Sequence, residues 1–241
     1  MRLCALGTSG PKVAVVGHVE WVQFAHVDHV PHAGEVVHAR DAFEEPAGGG
    51  AVAAVQLARL AGGARLLTAL GRDDSGRRSR ERLGELGVEV SAASVAAPTR
   101  RALTLLDDRG ERTITTFGER LEPVRGELVA LDALVLSGDD EIELREAERA
   151  RGEAQIVVWT EGGRGGRYEK RSGESGRWTP APPPGEPVDA YGCGDSFAAG
   201  LTFGLAAGMP LGDALALGAR CGATCLTGHG PYERQLGARD L

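Results

Sequence analysis

With 241 residues, 42% of them hydrophobic and 25% charged, the chain can bury one large core and falls in the ordinary globular range. A formal net charge of −7 argues against nucleic acid and anionic membrane as partners, because an acidic surface repels both. No apolar run reaches the ~20 residues that span a bilayer, the opening Met1 to Pro11 is too short and polar for a secretory leader, and four cysteines without framework spacing suit a reducing, cytoplasmic setting.

In chain order, Val13 to Val16 is a β-branched run ending at Gly17 and predicts a buried first strand of a parallel sheet. Phe24 to Val30 and Glu35 to Arg40 alternate apolar and polar residues around Pro31 and Gly34, which predicts a half-exposed antiparallel pair. Gly48-Gly49-Gly50 opens a small-residue helix that runs to Ala61 and closes at Gly62-Gly63. Arg65 to Ala69 reads as a strand, and Asp74 to Leu86 as a polar-faced helix with an acidic start. Ala102 to Asp107 and Arg112 to Thr116 flank Asp108-Arg109-Gly110, a hairpin signal. Ala133 to Ser137 and Ile156 to Trp159 predict two buried strands with a charged helix between them. Tyr168 and Trp178 bracket a glycine-rich turn, and after the proline-rich Ala181 to Pro187 come two apolar helices, Ser196 to Ala207 and Leu211 to Cys225.

Strands alternating with helices predict an α/β fold, a doubly wound and mainly parallel sheet flanked by helices. The early alternating strands, about 20–45 and 100–118, stand outside that sheet and predict a small β-lid on a single domain spanning 1–241.

The segment Asp189-Ala190-Tyr191-Gly192-Cys193-Gly194-Asp195-Ser196 holds the strongest chemical signal. Small residues let the backbone turn tightly and expose successive N–H groups, and the helix that follows adds unpaired donors and a positive dipole end. Together these form a nest for a phosphoryl group. A carboxylate beside such a nest has a use if it accepts a proton from an attacking hydroxyl. On spacing alone, a glycine-rich turn with Asp195 as a helix cap explains the segment equally well.

The same segment resembles the C-terminal signature of the ribokinase-like (PfkB) carbohydrate kinases, Asp-Thr-x-Gly-Ala-Gly-Asp, with Ala190 in place of Thr and Cys193 in place of Ala. Pro31 to Glu35, Gly48-Gly49, Gly71 to Gly76, Gly110-Glu111-Arg112 and Thr160 to Gly165 resemble further motifs of that family in the same order. The resemblance implies transfer of the γ-phosphoryl group of ATP to a hydroxyl of a small sugar or polyol. Asp195 would be the base, and Gly192, Cys193 and Gly194 the anion hole. Glu20, Gly48, Gly49 and Asp73 would line the acceptor side, and Thr160, Gly162 and Gly165 the nucleotide side. Magnesium would accompany ATP, with Glu143 ordering its water, while Asp189 and the turn near Gly230 would hold a monovalent cation, potassium being the candidate. Separately from the resemblance, the early lid strands expose edges and apolar faces, which makes a homodimer through the lid an expectation. A nucleoside kinase of the same fold, or a catalytically weak sugar- or nucleotide-binding regulator, are the alternatives.

Three departures shape these expectations. Glu20 falls where ribose-binding relatives carry Asn, and Val22 replaces their Asp, while Gly50-Ala51-Val52-Ala53 lacks the Lys and Asn that usually follow the first glycines. Sites built to hydrogen-bond hydroxyls discriminate strongly, so the acceptor is expected to differ from ribose, with Trp21 and Glu20 pointing to a different or bulkier polyol. The stretch from Ser137 to Ile156 is also shorter than the strand–helix units it would replace, which predicts an omitted or deleted segment near Ser137 to Glu141. There Asp140-Glu141-Ile142-Glu143 could stand in for Asn-x-x-Glu, or be an acidic helix start.

Overall fold

Helix α1 (Gly49–Ala61) forms where Ala, Val and Leu recur at helical spacing, and it ends at Gly62 in the left-handed conformation. In the computed structural model, which describes residues 13–121, 131–138 and 152–241, this helix is the piece around which the rest is organised. Its buried Val52, Val55 and Leu60 share one cluster with Val22 and Phe24 of the lid, Leu66 beneath it and Phe203 of a later helix. Burial of a side chain of that size is worth roughly 1.5–3 kcal/mol each, so this cluster is what ties the lid to the body.

The described strands fall into three sheets. The first is parallel, β1 (Ala14–Val16), β4 (Ala64–Gly71) and β5 (Val88–Val95), in the order β1-β4-β5. The strand β5 follows Gly87 and has no counterpart in the sequence reading. Contrary to expectation, β1 is not a buried strand. It pairs only with β4, its other edge carries no ladder among the described residues, and Val16 is 64% exposed. Between β4 and β5 runs α2 (Asp74–Glu85), whose N-cap Asp73 accepts the Gly76 N–H at 2.9 Å.

The second sheet is the lid, in the order β3-β2-β6-β7. Here β2 (Glu20–His26) pairs antiparallel with β3 (Asp41–Ala47) and parallel with β6 (Arg101–Leu106), which turns back into β7 (Arg112–Phe117). The expected antiparallel pair therefore exists, but on other residues. Glu35 to Arg40 is not a strand, and β2 is a central strand with one exposed residue, Gln23, instead of a half-exposed edge. The hairpin expected around Asp108-Arg109-Gly110 is present as β6–β7.

The third sheet, β11-β10-β9-β8, combines the parallel pair β8 (Leu131–Ser137) and β9 (Ala154–Thr160) with the hairpin β10 (Gly166–Lys170) and β11 (Ser175–Trp178). Helices α3 (Cys193–Ala206) and α4 (Leu211–Cys225) pack on it through Phe197, Leu201 and Leu215 against Val158. Trp178 stacks on Phe197 at a centroid distance of 4.6 Å, which gives it a packing role. The sequence expectations for 139–151, the charged helix, the break near Ser137 to Glu141 and Glu143 among them, lie outside the described residues. No described helix is long and apolar enough to cross a membrane.

Candidate active site

The loop between Val188 and α3 is held from several directions. Asp189 is fully buried, and its carboxylate accepts the N–H of Tyr191 and the N–H of Gly230, each at 2.8 Å. Burial raises the Asp189 carboxyl above its ordinary range, and those two bonds, with the charges of His26 and Arg112, oppose the rise. Tyr191 is buried and packs edge-on against Phe24 of the lid at 4.9 Å, while its hydroxyl accepts the Gly48 N–H at 3.4 Å. Thus one short segment is bonded to the C-terminal turn, the lid and the start of α1 at once.

Gly192 then turns left-handed (φ 79°), a conformation open to glycine at little cost, and no side chain caps α3. The helix therefore begins with its amide donors and positive end presented beside Asp195, which lies in its first turn and is half-buried. A Cβ added to Gly194 would meet nothing within 4 Å, so open space lies beside that residue at the start of α3. This is an arrangement suited to an anionic group placed next to a carboxylate base.

The start of α1 completes the other wall. A Cβ on Gly49 would lie 2.9 Å from Asp195 Oδ1 and 3.9 Å from the His18 ring, so Gly49 is what lets the carboxylate sit there. Beyond it lies Glu20, 6% exposed, with His18 Nε2 at 3.5 Å and Arg100 Nε at 3.2 Å from its Oε1. Burial would raise the Glu20 carboxyl, but His18, Arg100 and Arg120 outweigh it and hold the group below the usual carboxylate range. His18 and Arg100 belong to none of the motifs weighed in the sequence. The visible signal for Arg100 was its pairing with Arg101 at the start of the lid hairpin.

The structure thus brings Gly48, Gly49, Glu20 and Asp195 into one neighbourhood. Asp73, expected on the acceptor side, has a structural task of its own. Its carboxylate accepts Gly76 N–H, Thr99 N–H (2.9 Å) and Thr99 Oγ1–H (2.7 Å), joining α2 to the segment that leads into β6. Those three bonds hold the Asp73 carboxyl low although burial opposes them. Thr160 ends β9 with its hydroxyl donating to the Leu136 carbonyl at 3.2 Å. The 3-10 turn Gly162–Arg164 follows, and Gly162 and Gly163 would have nothing within 4 Å of an added Cβ. That open turn follows β9, in the sheet against which α3 packs.

The model of the family described as pfkB family carbohydrate kinase matches residues 11–148 and 131–236. Fructoselysine 6-kinase of Escherichia coli (strain K12) is 44% identical over 55 residues, 23% of this chain and 21% of that protein. Acarbose 7(IV)-phosphotransferase of an Actinoplanes species is 41% identical over 78 residues, 32% of this chain and 26% of the relative. These matches therefore span about a quarter or less of the curated relatives' own lengths. Ribokinase of Thermotoga maritima superposes with a TM-score of 0.72 at 20% identity, covering 95% of this chain and 97% of the other, which shows the ribokinase-like fold.

Proposed function

The chain belongs to the pfkB family of carbohydrate kinases, and from that membership we propose that it transfers the γ-phosphoryl group of ATP to a hydroxyl of a small carbohydrate or polyol. The single observation that carries the reading is Asp195 in the first turn of an uncapped helix, packed against Gly49, with His18 and Glu20 beside the neighbouring Gly48. In this reading the acceptor oxygen attacks the γ-phosphorus and its proton passes to the Asp195 carboxylate. A new O–P bond forms while the bond to the β–γ bridging oxygen breaks, and ADP leaves. Charge growing on the transferred group is met by the amides of Gly192, Cys193 and Gly194 and by the helix dipole.

On the acceptor side, the charged Glu20 accepts hydrogen bonds from sugar hydroxyls, with His18 and Arg100 fixing its orientation. Replacement of an amide by a carboxylate between two basic groups supports an acceptor other than ribose, and the curated relatives are named for several different sugars, fructoselysine, acarbose and ribose among them. Thr160, Gly162 and Gly165 face the nucleotide phosphates. Magnesium would screen the charge of the ATP phosphates when bound. Glu143, the residue expected to order magnesium-bound water, lies outside the described residues. Asp189, expected to help hold potassium, accepts one backbone N–H at each oxygen, which staples the loop to the C-terminal turn and leaves a lone pair on each oxygen for a cation. A cytoplasmic setting belongs to the same reading, supported by Cys193, Cys221 and Cys225 as free thiols. So does a homodimer through the lid, supported by exposed Phe117 on the edge strand β7, and a monomer in sedimentation at high concentration would remove it.

The test is ADP release measured against a panel of sugars, amino-sugar conjugates, polyols and nucleosides. Turnover with a sugar or polyol is the expected result. Preference for nucleosides would reassign the acceptor, and ATP binding without turnover on any acceptor would indicate a binding protein.

A further inference from the structure

The lid hairpin touches the catalytic loop directly, through residues that none of the roles above uses. Its turn is built stiffly, with the Asp107 carboxylate accepting the N–H of Arg109 at 2.9 Å and of Glu111 at 3.0 Å. This turn grips Ala190 on both faces of the chain. The Ala190 N–H donates to the Gly110 carbonyl at 3.3 Å, and Arg112 Nη1 donates to the Ala190 carbonyl at 3.0 Å. A Cβ on Gly110 would sit 3.2 Å from the Val188 carbonyl oxygen, so the contact is backbone against backbone. In the lid, Arg112 lies opposite Leu106, which lies opposite His26, and His26 packs edge-on against His229 beside the Gly230 turn that binds Asp189.

The Ala190 carbonyl matters because it is also the acceptor nearest the Cys193 N–H, at 3.5 Å. That distance is outside the usual 2.7–3.2 Å for an N–H···O bond, so the amide is only weakly engaged. A guanidinium on the same carbonyl makes the stronger, charge-assisted bond and fixes the direction of the peptide. Ala190 itself has no side-chain hydroxyl with which to brace the loop. We propose that Arg112 is a positioning residue: by holding the Ala190 carbonyl it makes docking of the lid hairpin set the alignment of the Cys193 and Gly194 amides. This deepens the kinase reading and rests on it, since those amides act on the phosphoryl group only if the chain transfers one.

The experiment compares full-length wild type with Arg112→Ala, Arg112→Lys and Asp195→Asn. With the best acceptor, Arg112→Ala should lose about ten- to a hundredfold in kcat, as expected for misaligned donors, with the acceptor KM nearly unchanged. Arg112→Lys should recover part of that loss, and added guanidinium should restore part of it in Arg112→Ala but none in Asp195→Asn. Amide hydrogen exchange provides a readout independent of turnover: residues 190–196 should exchange faster in Arg112→Ala while α1 and β4 keep wild-type protection. Wild-type kcat in Arg112→Ala, or a loss accompanied by global loss of protection and no guanidinium rescue, would overturn the proposal. Should wild type phosphorylate no acceptor, the kinase reading fails by itself, and unchanged exchange at 190–196 would then overturn the positioning role as well.

Discussion

Gly49→Ala separates catalysis from stability at one atom. Gly49 is the first residue of α1 and has no positive φ, so alanine is compatible with its backbone and favours the helix by up to about 1 kcal/mol. The added methyl would lie 2.9 Å from Asp195 Oδ1 and 3.7 Å from its Cγ, with no backbone atom among its nearest neighbours. Ordinary contact begins near 3.4 Å, so the carboxylate must retreat by roughly 0.5 Å, and rotation of a short side chain achieves this cheaply. A displacement of about 1 Å at a reacting group can cost ~100-fold, so half of that predicts a kcat loss of about tenfold, or about 1.4 kcal/mol of barrier. Paired assays suffice: steady-state ADP release with the best acceptor, and thermal unfolding of the same preparations. The expected result is a kcat near one tenth of wild type with Tm unchanged or raised by up to about 4 °C. A kcat within about twofold of wild type would refute the placement of the base against Gly49 in the reacting complex. A marked fall in Tm would show that the backbone moves instead of the carboxylate.

Glu20→Gln keeps the shape but removes the charge that His18 and Arg100 compensate, and should raise the acceptor KM about tenfold or more while leaving the KM for ATP nearly unchanged. An equal effect on both constants would remove Glu20 from the acceptor side. Asp73→Ala deletes a helix cap and two bonds to Thr99, and should cost about 1–3 kcal/mol in urea unfolding, with Asp73→Asn intermediate. Wild-type stability in Asp73→Ala would deny it that structural task. Glu20 and Asp73 both have folded-state carboxyls held below their unfolded values, so their contribution is present above the ordinary carboxylate range and is lost as pH falls through the folded-state values. The Tm advantage of wild type over Glu20→Gln and over Asp73→Asn should therefore persist from neutral pH down to about 4.5 and shrink below it, and an advantage that grew on acidification would contradict the sign.

What was legible in the sequence was mostly local. Gly192, Gly194 and Asp195 announce an uncapped helix start because their chemistry lies within a few residues, and Asp108-Arg109-Gly110 announces its hairpin for the same reason. The positions of strands that depend on distant partners were less readable. Val13 to Val16 has the composition of a core strand, yet Val16 is exposed because the described residues give β1 a neighbour on one side only. Glu35 to Arg40 alternates like a strand, but β2 instead pairs with Asp41 to Ala47, where Phe43 stacks on Phe24 at 4.8 Å and supplies a packing partner. At the site, Asp195, Glu20 and the paired glycines were visible as residue types in a motif. Arg112 was visible only as part of Gly110-Glu111-Arg112, and its hold on the Ala190 carbonyl was not, because it reaches across the fold, as Arg100 does to Glu20. Asp73 shows the converse: a motif residue whose carboxylate is taken up by Gly76 and Thr99.

Asp195→Asn, compared with wild type for acceptor-dependent ADP release, tests the central claim most directly. The substitution is nearly isosteric and leaves the amides of α3 in place, while it removes the group that accepts the proton. Turnover should fall by about 100- to 10,000-fold, the usual weight of a general base, with ATP affinity and Tm close to wild type. Turnover within a few fold of wild type would contradict the assignment of Asp195 as the base and, with it, the chemistry built on this loop.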